Sequence, residues 1–138
     1  MAIIDMKTMR YINLLDKIAH VKTSKCFFHN GSIFFAVNKH DVSRAIGPGA
    51  INVRKMQEKT GKNIRIIQEA ANPSDLKAFI EDIVAPVRIK STEIKDNTVI
   101  ITAGNSQTKA SLIGRNKRRM EELNDIIQNF FSMNIKIV

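Results

Sequence analysis

The chain has 138 residues, enough for one ordinary domain or two very small ones. At 43% hydrophobic it can build a core, but its net charge of +9 and pI near 9.9 point to a polyanionic partner, nucleic acid ahead of a membrane surface. One cysteine, Cys26, excludes an internal disulfide and a cysteine-based zinc site, and His20, His29 and His40 lack ligand-like spacing.

No Walker, GxSxG or HExxH sequence occurs, so no enzyme, cofactor or metal is expected. The start "MAIIDMKTMRYINLL" carries an early acid and lacks a signal-peptide pattern, and no apolar run approaches membrane-spanning length. A cytoplasmic protein is expected.

In chain order, residues 8–20 place Tyr11, Ile12, Leu15, Ile18 and Ala19 on one helical stripe. "CFFHNGSIFFAV" then sets Asn30-Gly31 between two aromatic and β-branched runs, a strong hairpin signal, with Cys26 as a small buried hydrophobe. A short helix over 41–46 leads into the turn Gly47-Pro48-Gly49, followed by a helix over 50–60 and the strand "NIRII". The linker "EAANPSD" ends on Pro73, which suits the first position of a helix.

The second half repeats this order. Residues 74–85 align Leu76, Phe79, Ile80, Ile83 and Val84, and Pro86 stops that helix. "VRIKSTEIKDNTVIIT" turns at Asp96-Asn97; a short helix over 106–113, a turn at Gly114, a helix over 117–131 and the strand "NIKIV" follow. Gly47 and Gly114 stand 67 residues apart, whereas Ile64 and Ile135 stand 71 apart, so the second long helix is expected to be one turn longer. The organisation is αββααβ, twice.

The charge is placed unevenly. Residues 1–69 hold 12 basic and 5 acidic side chains, and residues 70–138 hold 10 and 8. No acid falls between Asp96 and Glu121, where Lys109, Arg115, Lys117, Arg118 and Arg119 cluster. In the first half, Arg54 and Lys55 open a helix with no acid before Glu58. A helix N-terminus is already positive, so cations there are unfavourable by a few tenths to about 1 kcal/mol each unless an anion sits among them. Unpaired N–H groups at that end, small residues and cations together suit a phosphate. For one turn alone, glycines that merely cap a helix and solvated arginines explain the pattern equally well. Recurrence at the same structural point favours a phosphate backbone passing over each turn.

These residues resemble the type II KH domain, an αββααβ module with a GxxG loop between its core helices that clamps about four nucleotides of single-stranded nucleic acid. More narrowly, "IGPGAINVRKMQEKTGKNIRII" is similar to the tandem KH portion of NusA-type transcription factors. "LIGRNKRRMEELNDIIQNFF" is similar to the last KH repeat of their short archaeal form, which consists of two KH domains. The resemblance runs from about residue 7 to 138.

It implies an α+β fold of two tandem type II KH domains, over 1–69 and 72–138, each with a three-stranded sheet packed by helices. Single-stranded RNA is the implied partner, bound by Gly47, Pro48, Gly49, Ala50, Arg54 and Lys55 at the first loop and by Gly114, Arg115, Asn116, Lys117 and Arg118 at the second. RNA polymerase is a further implied partner, with a role in elongation or termination and a monomeric state. Ala50 and Lys117 depart from the glycine expected at the motif's fourth position: Ala50 allows close approach in a helical conformation, while Lys117 adds a cation. The resemblance implies Ile46, Val53 and Ile66 in a base-binding groove beside the first loop and Ile113, Met120 and Ile137 in one beside the second; core packing is the alternative for all six and is expected to take most of their surface. With no Trp and one Tyr, aromatic stacking is not expected to carry base binding.

Two other readings stay open: a ribosome-assembly or RNA-processing factor built on the same module, and a helix-turn-helix protein reading duplex DNA through Asn52, Arg54 and Gln57. The strand after each helix pair fits the KH module better.

Overall fold

The computed structural model describes residues 6–138. These divide into two compact α+β units, 6–69 and Ala70–Val138.

In the first unit, helix α1 (Met6–Ala19) buries Thr8, Leu15 and Ala19 and ends where His20 turns left-handed (φ 57°) and donates its N–H to the Asp16 carbonyl. Strands β1 (Lys25–His29) and β2 (Ser32–Val37) form an antiparallel hairpin, with Phe27 opposite Phe34. Its two turn residues, Asn30 (φ 50°) and Gly31 (φ 78°), both take positive φ, which matches the right-handed twist of the flanking strands. Helices α2 (Val42–Ile46) and α3 (Ile51–Thr60) follow, and β3 (Asn63–Gln68) returns parallel to β2, with Ile33 opposite Ile64. The central strand β2 is buried along its whole length.

Period-two alternation puts Cys26, Ile33, Phe35, Val37 and Ile64 on one sheet face, where they form a core with Leu15, Ala19, Val21, Ala45 and Met56. Met56 is fully buried at the middle of α3, so the core holds this helix against the sheet and fixes where its N-terminus lies.

The second unit follows the same order: α4 (Leu76–Val84), β4 (Ser91–Lys95), β5 (Thr98–Thr102), α5 (Ser106–Ile113), α6 (Arg118–Phe131) and β6 (Asn134–Ile137). Its hairpin turns at Asp96 (φ 50°) and Asn97 (φ 59°), and β6 lies parallel to β5. Helix α4 buries the five apolar residues of its stripe, and Phe79 meets Phe131 edge to face at 5.7 Å. Helix α6 has 14 residues against 10 in α3, the extra turn expected from the two offsets. Among the described residues no helix is long and apolar enough to cross a membrane.

Truncating Met56 to Ala removes buried volume from the seat of α3. Loss of about 2–5 kcal/mol of stability is expected, read as a lower urea midpoint with the slope unchanged.

Candidate nucleic-acid interface

Each short helix runs into its long partner through the same four-residue turn. At the first position, Gly47 (φ 79°, ψ 162°) and Gly114 (φ 75°, ψ 172°) occupy a region open in practice only to glycine. At the third and fourth positions, Gly49 (φ 62°, ψ 24°) and Ala50 (φ 60°, ψ 29°) are both left-handed, and so are Asn116 (φ 56°, ψ 28°) and Lys117 (φ 61°, ψ 19°). Ala50 therefore sits in a left-handed conformation, not the ordinary helical one expected from the sequence. That is the physical reason a glycine suits the fourth position, since an L-residue there costs about 1–2 kcal/mol. Asn116 is one of the few side chains that take this conformation readily.

The backbone closes each turn on itself. The Gly47 N–H donates to the Ser43 carbonyl at 2.9 Å, and the Ala50 N–H donates to the Gly47 carbonyl at 3.0 Å. Gly114 donates to Ala110 at 2.9 Å and Lys117 to Gly114 at 3.2 Å in the same way. The first amide of each long helix is bonded within the turn as well: Ile51 N–H donates to the Pro48 carbonyl and Arg118 N–H to the Arg115 carbonyl.

The first glycines serve packing. A Cβ on Gly47 would lie 2.8 Å from Asn52 Nδ2, and one on Gly114 would lie 2.5 Å from Arg119 Cγ. Asn52 and Arg119 are equivalent positions, 67 residues apart, that cover the glycine from the long helix. Asn52 Nδ2 also donates to the Arg44 carbonyl at 3.0 Å, which ties α3 to the end of α2. Gly49 differs: a Cβ there meets only Arg54 Nη2, at 3.9 Å. Of the three glycines implied in binding, Gly49 is the one with open space above it. Asn52 was weighed only as a base reader, and its bond across the turn depends on the helix crossing rather than on residue type.

The cations are unequal. Arg54, Lys55, Arg115, Lys117 and Arg118 are exposed and have no ion-pair partner among the described residues. Arg119, which the sequence groups with the second cluster, pairs with Glu122 at 2.5 Å and packs its stem over Gly114, so it is a structural residue. At the positions of Arg54 and Lys55 the second unit has Glu121 and Glu122, so α6 carries an acid in its first turn where α3 carries none. Beside the second turn a cleft is lined by Met120, Glu121, Asn124, Asp125, Asn134 and Ile135. Its two carboxylates oppose an approaching phosphate, whereas the α3 turn has none before Glu58. Of the groove residues implied by the sequence, Ile46, Val53, Ile66, Ile113 and Met120 are half-buried. Ile137 is 8% exposed and belongs to the core, because its strand register places it beside Ile101 on the buried sheet face.

The two α+β units share one order of elements, and each presents a glycine-led, cation-flanked helix N-terminus, so the chain is a duplication of one architecture. No family model matches the sequence. The chain is 28% identical over 120 residues to the probable transcription termination protein NusA of Methanocaldococcus jannaschii, a match covering 85% of this chain and 64% of that protein. It is 28% identical over 131 residues to the probable transcription termination protein NusA of Methanococcus vannielii, covering 92% of this chain and 74% of that one. The chain is thus NusA-like, of the archaeal kind, as its residues suggested. Its fold matches the crystal structure of APE1850 with a TM-score of 0.69 at 22% identity, covering 98% of this chain and 100% of that one.

Two substitutions test the turn geometry. Ala50→Gly relieves the left-handed strain and should raise stability by about 0.5–1 kcal/mol, seen as a higher Tm. Gly47→Ala adds a Cβ against Asn52 in a glycine-only conformation and should lower Tm sharply.

Proposed function

We propose that the chain is a non-enzymatic, single-stranded-RNA-binding protein built from two tandem type II KH domains, acting in transcription elongation or termination. One observation carries this: the same turn conformation occurs twice, each time with exposed cations at a helix N-terminus that have no ion-pair partner among the described residues. Bound phosphate reverses the sign of that otherwise unfavourable charge. The αββααβ order supports the KH reading, and the names of the archaeal relatives support the place in transcription. The first turn is the stronger grip, because its helix lacks an early acid. The second carries its own cations, Arg115, Lys117 and Arg118. Bases lie against Ile46, Val53 and Ile66. RNA polymerase is the proposed protein partner, and the chain acts as a monomer in the cytoplasm.

The test is fluorescence anisotropy with single-stranded RNA and with duplex DNA across a salt series. RNA should bind more tightly, with a log–log slope near −0.7 for each phosphate neutralised. Tighter duplex binding, or no dependence on salt, would sink the reading.

Gly49→Asp places a carboxylate in open space, in a conformation that aspartate tolerates. It should weaken RNA binding about tenfold or more, a loss of about 1.4 kcal/mol, while circular dichroism stays unchanged. Gly49→Asn, which copies Asn116, should bind nearly as the parent does.

Removing Lys117 and Arg118 together should weaken RNA binding moderately and flatten the salt slope by about 1.4, for two lost phosphate contacts. The free double variant should melt slightly higher, because two cations leave a helix N-terminus. Unchanged binding with a lower Tm would assign those cations a structural role instead.

A further inference from the structure

A second basic surface lies at the far end of α3 from the first turn. Between α1 and the C-terminal end of α3 the first unit holds an open groove of about 510 Å³, lined by Arg10, Tyr11, Asn13, Leu14, Lys17, Lys59 and Thr60. Its lining has three cations and no acid. Arg10, Lys17 and Lys59 are exposed, and none has an ion-pair partner among the described residues. Leu14 and Tyr11 supply an apolar floor. Tyr11 is half-buried and held by an edge-to-face contact with Phe28 at 5.9 Å, so its ring orientation is fixed.

One face of α3 runs from the first turn to this groove. Ile51, Lys55 and Lys59 stand at four-residue spacing and share one face of α3, and all three are exposed. From Ile51 to Lys59 the rise is about 12 Å. A strand held at the turn by Arg54 and Lys55 thus meets further cations as it runs down α3.

We propose that this groove is a second contact for the same RNA, taking nucleotides beyond those clamped at the first turn. Arg10, Lys17 and Lys59 hold phosphates, and a base lies against Tyr11 and Leu14. A positive track with an aromatic surface is the general form of a sequence-tolerant single-strand site. Tyr11 is therefore the exception to the expectation that aromatic contact is unimportant in this chain. The inference rests on the RNA-binding reading and adds a longer footprint to it.

Mixed-sequence single-stranded RNAs of four and twelve nucleotides, bound to the whole chain and followed by anisotropy, separate the two claims. The parent should bind the longer RNA more tightly than the shorter by a factor exceeding the gain in the number of registers. The triple variant Arg10→Ser/Lys17→Ser/Lys59→Ser should bind the four-nucleotide RNA like the parent, lose about tenfold on the twelve-nucleotide RNA and lose about 2 from the salt slope. A charge-matched variant, Lys22→Ser/Lys39→Ser/Lys95→Ser, should keep the gain with length. Tyr11→Leu, which retains the apolar floor, should lose part of the gain with no change in salt slope. If the first triple variant keeps the full gain, or if the charge-matched variant loses as much, the groove does not hold RNA, and an acidic protein segment is the better occupant. If the parent binds neither RNA, the RNA-binding reading falls and takes this one with it.

Discussion

The site depends on a backbone constraint: two consecutive left-handed residues must separate the short helix from the long one. This pair reverses the chain within four residues and lets the long helix begin at the surface. Because an L-side chain pays for that conformation, the turn selects glycine or asparagine where it can, and Gly49 and Asn116 fill equivalent places. Ala50 and Lys117 hold the conformation against their preference, so packing elsewhere must enforce it. Met56 beneath α3 and Leu123 beneath α6 are fully buried and anchor the two long helices.

Once the helix ends are exposed, side-chain charge differentiates them. The first helix opens on Ile51, Asn52 and Val53, then Arg54 and Lys55; the second opens on Arg118 and Arg119, then meets Glu121 and Glu122. One fold thus offers two electrostatic versions of a single turn. In the first, the positive surface continues along the helix; in the second, it is confined to the loop and bounded by carboxylates. A duplicated module can thus vary the charge at its two turns without altering either backbone.

Much of this was legible in the residues. Asn30-Gly31 and Asp96-Asn97 mark hairpins because few other residue pairs accept two positive φ angles, and both turns formed there. The extra turn of α6 followed from two residue offsets, because helix length has to absorb the difference between them. The left-handed state of Lys117 was not legible, since its own propensity opposes it. Nor was the role of Arg119, which depends on how closely α6 passes Gly114. For Ile137 the choice between groove and core fell to the core, because a strand's sequence gives two faces but not which of them is covered. The groove between α1 and α3 joins residues about fifty positions apart, beyond the reach of any local pattern.

The sheet topology has a kinetic consequence. In each unit the middle strand finds its first neighbour across a two-residue turn but its second only after both core helices have been made, as with Ser32 and Asn63. The hairpin can form early and locally, whereas the parallel edge closes a long loop and comes late. The helix pair and its strained turn lie inside that loop. The geometry of the turn is therefore locked by the last strand to dock.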